Sequence, residues 1–125
     1  MMNLLEYLKI QTTSVTPNKV ILHLDVEAIH HQPYGVLHGG MNGVLIETAC
    51  SIGANANLTD SYAVGVDLQV SHFSSVSHGT LEIIATPEKI GGRLQFWQAE
   101  IWSADKKIAS GKCTLMINQL KTEPK

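Results

Sequence analysis

Glu47 is the one acid in a twenty-residue stretch, 39–58, that is otherwise almost wholly apolar. An ionised carboxylate costs several kcal/mol to bury without a partner. Such an acid therefore either reaches solvent or a lysine from another element, or it has a chemical task. Eight residues earlier (47 − 39 = 8) stands His38-Gly39-Gly40, where the apolar stretch begins. If that stretch is a helix, its first N–H groups lack intrahelical acceptors and its positive dipole end favours a developing oxyanion. Glycine also allows a ligand carbonyl to approach those amides closely. A plain tight turn explains the glycines equally well, and HGG alone is a weak signal.

The spacing sharpens this. On one helix Gly39 and Glu47 lie about 12 Å apart along the axis, at 1.5 Å per residue. A carbonyl under attack must sit about 3 Å from both the attacking group and the oxyanion donor. If both residues serve one reaction, they come from different chains. That predicts a symmetric dimer with two antiparallel helices across a two-fold axis and two equivalent sites.

The elements that must hold these residues follow from periodicity. Residues 2–10 allow a short helix with Leu4, Leu5 and Leu8 on one side, in an N-terminal segment spanning 1–15. From Lys19 the period becomes two, with Val20, Leu22, Leu24 and Val26 facing one way. Pro33 and Gly35 then break regular structure. Between 39 and 58, Met41, Val44, Leu45, Thr48, Ala49, Ile52 and Ala56 recur at three- and four-residue steps with few polar residues between, as in a buried helix. Gly40, Gly43 and Gly53 each cost up to about 1 kcal/mol in a helix, which implies close approach of another backbone.

Four strand patterns follow. Val64, Val66, Leu68 and Val70 alternate in the first, and Leu81–Ala85 lies between Gly79 and Pro87. Gln95, Trp97, Ala99 and Ile101 make the third, and Ala109, Gly111, Cys113, Leu115 and Ile117 the fourth. Short connections imply antiparallel hairpins. The expectation is an α+β chain, residues 1–125 as one domain, with one strand, a central helix over 39–58, four antiparallel strands and a frayed tail over 120–125.

Composition narrows the function. Of 125 residues, 44% are hydrophobic and 16% charged, which excludes intrinsic disorder. The net charge is −2, with a single arginine, Arg93, and scattered lysines, which argues against nucleic acid as a partner. No stretch approaches the length of a membrane span, and the N-terminus carries Glu6 and Lys9 where a secretory signal needs a clean apolar run. Cys50 and Cys113 read as buried small hydrophobes rather than reactive thiols or a disulfide pair. A reduced, cytoplasmic domain is expected. No residues have metal-ligand spacing, so no metal is expected, and no GxSxG elbow occurs.

The segments HQPYGVLHGGMNGVLIETACSIGANA, VGVDLQVSHFSSVSHG and PEKIGGRLQFWQAEIW resemble hotdog-fold acyl-CoA thioesterases. The branch is the one holding the Arthrobacter-type 4-hydroxybenzoyl-CoA and the 1,4-dihydroxy-2-naphthoyl-CoA thioesterases. The likeness runs over most of residues 19–119, and the order Gln32, Gly39, Glu47 is more specific than HGG alone. The resemblance implies an antiparallel sheet wrapped around one long helix and a homodimer with shared sites, in some relatives a dimer of dimers. It also implies hydrolysis of an aromatic or medium-chain acyl-CoA, with no cofactor, coenzyme A being part of the substrate.

It implies roles as well. Glu47 resembles the catalytic carboxylate, either attacking the thioester carbonyl or activating water. Gly39 resembles the oxyanion donor from the partner chain, Gln32 the amide orienting the thioester, and His38 the histidine that helps position thioester or water. Ser51 matches a small hydroxyl residue holding the hydrolytic water. Gly65, His72, Phe73, Ser74 and Ser75, with the turn Lys89, Ile90, Gly91, Gly92 and Arg93, match positions lining coenzyme A. Ser74 departs from the pattern, standing where close relatives often carry arginine.

Two other activities are compatible with such a fold. A hydratase or dehydratase of enoyl or 3-hydroxyacyl thioesters resembles a pattern with a histidine well before the helix acid, where this chain has Pro33. A non-catalytic acyl-CoA sensor resembles a chain that lacks the helix carboxylate; here Glu47 is kept. His23 reads as a strand-face residue, His30 and His78 as loop residues, and Trp97 and Trp102 as core or interface residues.

Overall fold

The computed structural model describes residues 2–120. It begins with α1, Leu4–Tyr7. Asn3 caps it: the Glu6 N–H donates to Asn3 Oδ1 at 3.0 Å, and the Glu6 carboxylate accepts from the Asn3 N–H. The helix is shorter than the 2–10 pattern allows, because Lys9 turns to φ 61° and directs the chain into a strand.

That strand, β1 (Gln11–Thr16), has no counterpart in the sequence reading. Its six residues are all exposed and carry no apolar alternation. It forms only because β2 (Lys19–Asp25) supplies hydrogen-bond partners across the Pro17-Asn18 turn. In β2 itself Val20, Leu22 and Leu24 are fully buried, as their spacing predicts. After a 3-10 turn at Ala28–His30 comes α2, Gly39–Asn55. It ends three residues short of the expected 58, at Ala56 as C-cap, with Asn57 and Leu58 in turn and coil.

The strands β3 (Ser61–His72), β4 (Thr80–Ile90), β5 (Leu94–Ser103) and β6 (Lys106–Gln119) complete an antiparallel sheet in the order β1-β2-β4-β5-β6-β3. α2 packs across one face and touches every strand. This is the hotdog arrangement, and its core joins Leu45, Ile46, Ala49 and Cys50 of the helix to Leu22, Ile83, Ile101 and Leu115 of the sheet. Each such aliphatic side chain contributes about 1.5–3 kcal/mol on full burial.

Several expectations are corrected. Pro87 does not end its strand; β4 runs on to Ile90, and the proline sits at a register shift between Pro87 and Lys89, where a missing N–H is tolerated. Within this chain the helix glycines face side chains rather than another backbone. Gly53 faces the ring of Trp97 and Gly43 faces Leu68. Trp97 is fully buried, its Nε1–H donating to Gln95 Oε1 at 2.9 Å, while Gln95 Nε2 donates to the Ala54 carbonyl at 3.2 Å. This buried network fastens the end of α2 to β5. His30 is not a loose loop residue: it is 1% exposed, with the Glu27 N–H donating to Nδ1 at 2.9 Å. Its Nε2–H therefore donates to the Leu8 carbonyl, at 2.7 Å. Trp102, expected in the core or an interface, is half-buried.

β3 is an open edge. Val64, Val66 and Leu68 are exposed, and Val66 lies in a bulge between Gly65 and Asp67. Of the tail expected over 120–125, Leu120 donates its N–H to the Asp60 carbonyl, and 121–125 lie outside the described residues. Among the described residues no helix is long and apolar enough to cross a membrane.

Candidate active site

The site is built on the face of α2 that the sheet leaves uncovered. Helical period puts Val44, Glu47, Thr48, Ser51 and Ile52 on that face, all half-buried. With Leu4 and Leu5 of the N-terminal segment they line an apolar cleft of about 320 Å3. The two leucines are contributors that sequence pattern did not assign to the site. Leu45, by contrast, is wholly in the core.

The side of α2 next to β3 carries a second alignment. Gly39 lies against the His72 ring, Gly43 against Leu68, and Glu47 against Gly65, so helix and strand run alongside each other in opposite directions. Glu47 therefore lies beside the open edge of the sheet rather than in bulk solvent. Further along, Asn55 Oδ1 accepts the Ala63 N–H at 2.9 Å and its Nδ2 donates to the Ala63 carbonyl at 3.2 Å. Ala63 is thus turned away from β6, and Gly65, two residues on, presents its backbone to the same free side.

At the helix start, His38 is the N-cap. Its Nδ1 accepts the Gly40 N–H at 2.7 Å, which leaves the proton on Nε2. The Met41 N–H donates to the His38 carbonyl at 2.9 Å. The Gly39 N–H donates to nothing among the described residues. His72 stands over it, with its nearest ring atom 3.2 Å from where a Cβ on Gly39 would lie. Asn42 Nδ2 donates to His72 Nδ1 at 2.9 Å. Asn42 is 3% exposed, and its Oδ1 is left without a partner. Asn42 is a site residue without an assigned role in the sequence pattern, though an amide three positions into an apolar helix is itself a signal.

The remaining predicted residues divide. Gln32 is half-buried in the turn before α2, where its N–H donates to the Val36 carbonyl at 2.9 Å and its Oε1 accepts the Tyr34 N–H. The Phe73 and Ser74 N–H groups both donate to the Ile108 carbonyl, and Lys106 Nζ donates to the Ser75 carbonyl at 3.0 Å. Phe73 is exposed, with Lys107 Nζ 5.6 Å from its ring centre. Lys89 and Ile90 belong to the end of β4, and Gly91, Gly92 and Arg93 form the turn to β5. Lys89 lies in a separate open cleft with Asp67, Glu88 and Lys112, apart from the one holding Glu47. Both cysteines are buried and free. Burial, with the field of nearby Glu47, pushes the Cys113 thiol up to about 11 and Cys50 higher still.

One chain thus carries a carboxylate in an apolar cleft and, at the other end of the same helical ridge, an unused N–H at a helix start. The first suits attack or water activation; the second suits a developing oxyanion. Residues 34–110 match the thioesterase superfamily. The 1,4-dihydroxy-2-naphthoyl-CoA hydrolase of Listeria monocytogenes is 32% identical over 120 residues, covering 94% of this chain and 98% of that one. A Vibrio cholerae protein is 40% identical over 99 residues, 78% of this chain and 66% of its own length. The crystal structure of a thioesterase of class EC 3.1.2 from Haemophilus influenzae superposes with a TM-score of 0.88 at 28% identity, covering 92% of this chain and 82% of that one.

Proposed function

Because this chain belongs to the thioesterase superfamily and is a thioester hydrolase, we propose that it cleaves acyl-CoA to a free acid and coenzyme A, with Glu47 as the reacting carboxylate. The observation that carries this is the separation, about 12 Å along one helix, between Glu47 and the unused N–H of Gly39. Neither residue reaches the other's reaction centre, and Glu47 lies beside the open edge of β3. A second copy adding its own β3 to that edge brings its Gly39 toward the first copy's Glu47. The homodimer then has two composite sites, and the exposed Val64, Val66 and Leu68 become covered.

In such a site the acyl group enters the cleft formed by Leu4, Leu5, Val44, Thr48 and Ile52. The thioester carbonyl accepts the Gly39 N–H, and negative charge growing on its oxygen is stabilised by that amide and the helix end. Glu47 then acts by one of two routes. It attacks the carbonyl carbon and expels the thiolate, leaving an anhydride that water hydrolyses, or it takes a proton from a water that attacks directly. Oxygen-18 water in a single turnover separates them: label entering the Glu47 carboxyl marks the first route. Gln32 orients the thioester, Ser51 holds the water, and His38, whose Nδ1 is committed to Gly40, offers its Nε2–H. Coenzyme A runs past His72, Phe73, Ser74 and Ser75 toward Gly91, Gly92 and Arg93. Lys106, anchored on Ser75, offers the charge that Ser74 lacks. An apolar cleft on this scale accepts an aromatic or medium-chain acyl group, and the Listeria relative's naphthoyl substrate favours an aromatic one.

Glu47→Gln keeps the shape and removes the charge. Thiol release from a panel of aromatic and aliphatic acyl-CoAs should fall by about 10³-fold or more, with unchanged urea unfolding. Near-parental turnover would sink the assignment. Light scattering giving a monomer would sink the shared site.

A further inference from the structure

We propose that Gly65 is the positioning residue of the Glu47 carboxylate: its missing side chain is the space in which the acid lies. This rests on Glu47 being the reacting acid. A Cβ built on Gly65 would fall well inside van der Waals contact of Glu47 Oε2, 3.1 Å from its Cδ and 3.5 Å from Cys113 Sγ. None of the salt bridges among the described residues involves Glu47. On the sheet side the carboxylate lies directly against the backbone of Gly65.

Nothing in the backbone asks for glycine here. The positive-φ glycines among the described residues are Gly35 and Gly79, so Gly65 adopts a conformation open to any residue. Strand propensity argues against it as well, since glycine inside a strand loses entropy and leaves nothing to pack. Ala63, two positions earlier and on the same face, is buried under α2 without difficulty. An alanine at 65 meets one obstacle, the Glu47 carboxylate, and that group ends a flexible side chain. The fold has no need to yield; the acid swings away. Displacing a reacting group by about 1 Å costs on the order of 10²-fold in rate. Gly65 thus leaves room for an acid carried on another element.

The test compares Gly65→Ala, Glu47→Asp and the double variant for kcat, KM and urea unfolding on one acyl-CoA. Gly65→Ala should unfold at the same or higher urea, keep KM within about threefold and lose about 10²-fold in kcat. Aspartate, one methylene shorter, withdraws its carboxylate from the added methyl. Glu47→Asp should therefore cost less on Gly65→Ala than on the parent, so the two losses do not multiply. A Gly65→Ala enzyme with parental kcat, or one with only KM raised, or losses that multiply, would overturn the proposal. So would a fall in stability that tracks the fall in rate. If Glu47→Gln itself hydrolyses at the parental rate, the underlying assignment of the acid has failed instead.

Discussion

Replacing Gly39 by proline deletes one N–H and little else. Gly39 is the first residue of α2, the helical position where proline is best tolerated. His38 before it stands at φ −63° and ψ 132°, in the extended region that a residue preceding proline requires. No hydrogen bond within the described residues is lost, because that N–H donates to none of them. The added Cβ lies 3.2 Å from His72 Cε1, where an exposed ring must give by a few tenths of an ångström. Unfolding stability should therefore change by no more than about 1 kcal/mol. If the N–H is an oxyanion donor, its loss costs about 10²–10³ in kcat, roughly 2.7–4 kcal/mol. Gly39→Ala is the control, since it adds the same Cβ and keeps the N–H. Both variants are assayed by thiol release and by urea unfolding. Gly39→Pro should fall well below Gly39→Ala in kcat at equal stability; equal rates would refute the reasoning. Mixing refolded Gly39→Pro chains with Glu47→Ala chains adds the topology. Random pairing makes about half the dimers mixed with one intact site each, hence about a quarter of parental activity. Activity no higher than the sum of the two separate variants would refute a site shared between chains.

Two further predictions concern the scaffold. Gly53→Ala drives a methyl into the Trp97 ring, which is fully buried and held by Gln95. Neither side can yield, so urea unfolding should show a loss of about 1–3 kcal/mol. At pH 7 Cys113, pushed up to about 11, holds about one thiolate in ten thousand, and Cys50 fewer. Iodoacetamide should leave both thiols unmodified in the native protein by mass spectrometry, and label them once the pH is raised or the chain is unfolded. Rapid native labelling at pH 7 would show that these thiols are not buried as described.

Where a residue pattern had one solution, it fixed its element. Alternation in β2 and β5 and three-to-four spacing in α2 each bury one set of side chains, and no other secondary structure does so. The same holds for the distance between Glu47 and its own helix start, since 1.5 Å per residue is a property of the helix itself. β1 was invisible because its stability comes from β2 and its own residues bury nothing. Pro87 misled because a bulge, unlike a regular ladder, spares the missing N–H. His30 passed for a loop residue because the atoms that hold it, the Glu27 N–H and the Leu8 carbonyl, are backbone groups with no sequence signature.

The acid, the helix glycines and the spacing between them are local facts, written in residue order and helical geometry. Which surface each glycine faces is not local. Gly53 meets a tryptophan 44 residues on (97 − 53), and Gly65 meets an acid 18 residues back (65 − 47). Those assignments exist only once helix and strands are packed, because close contact between distant side chains depends on how the sheet twists beneath α2 and on nothing in the residues alone.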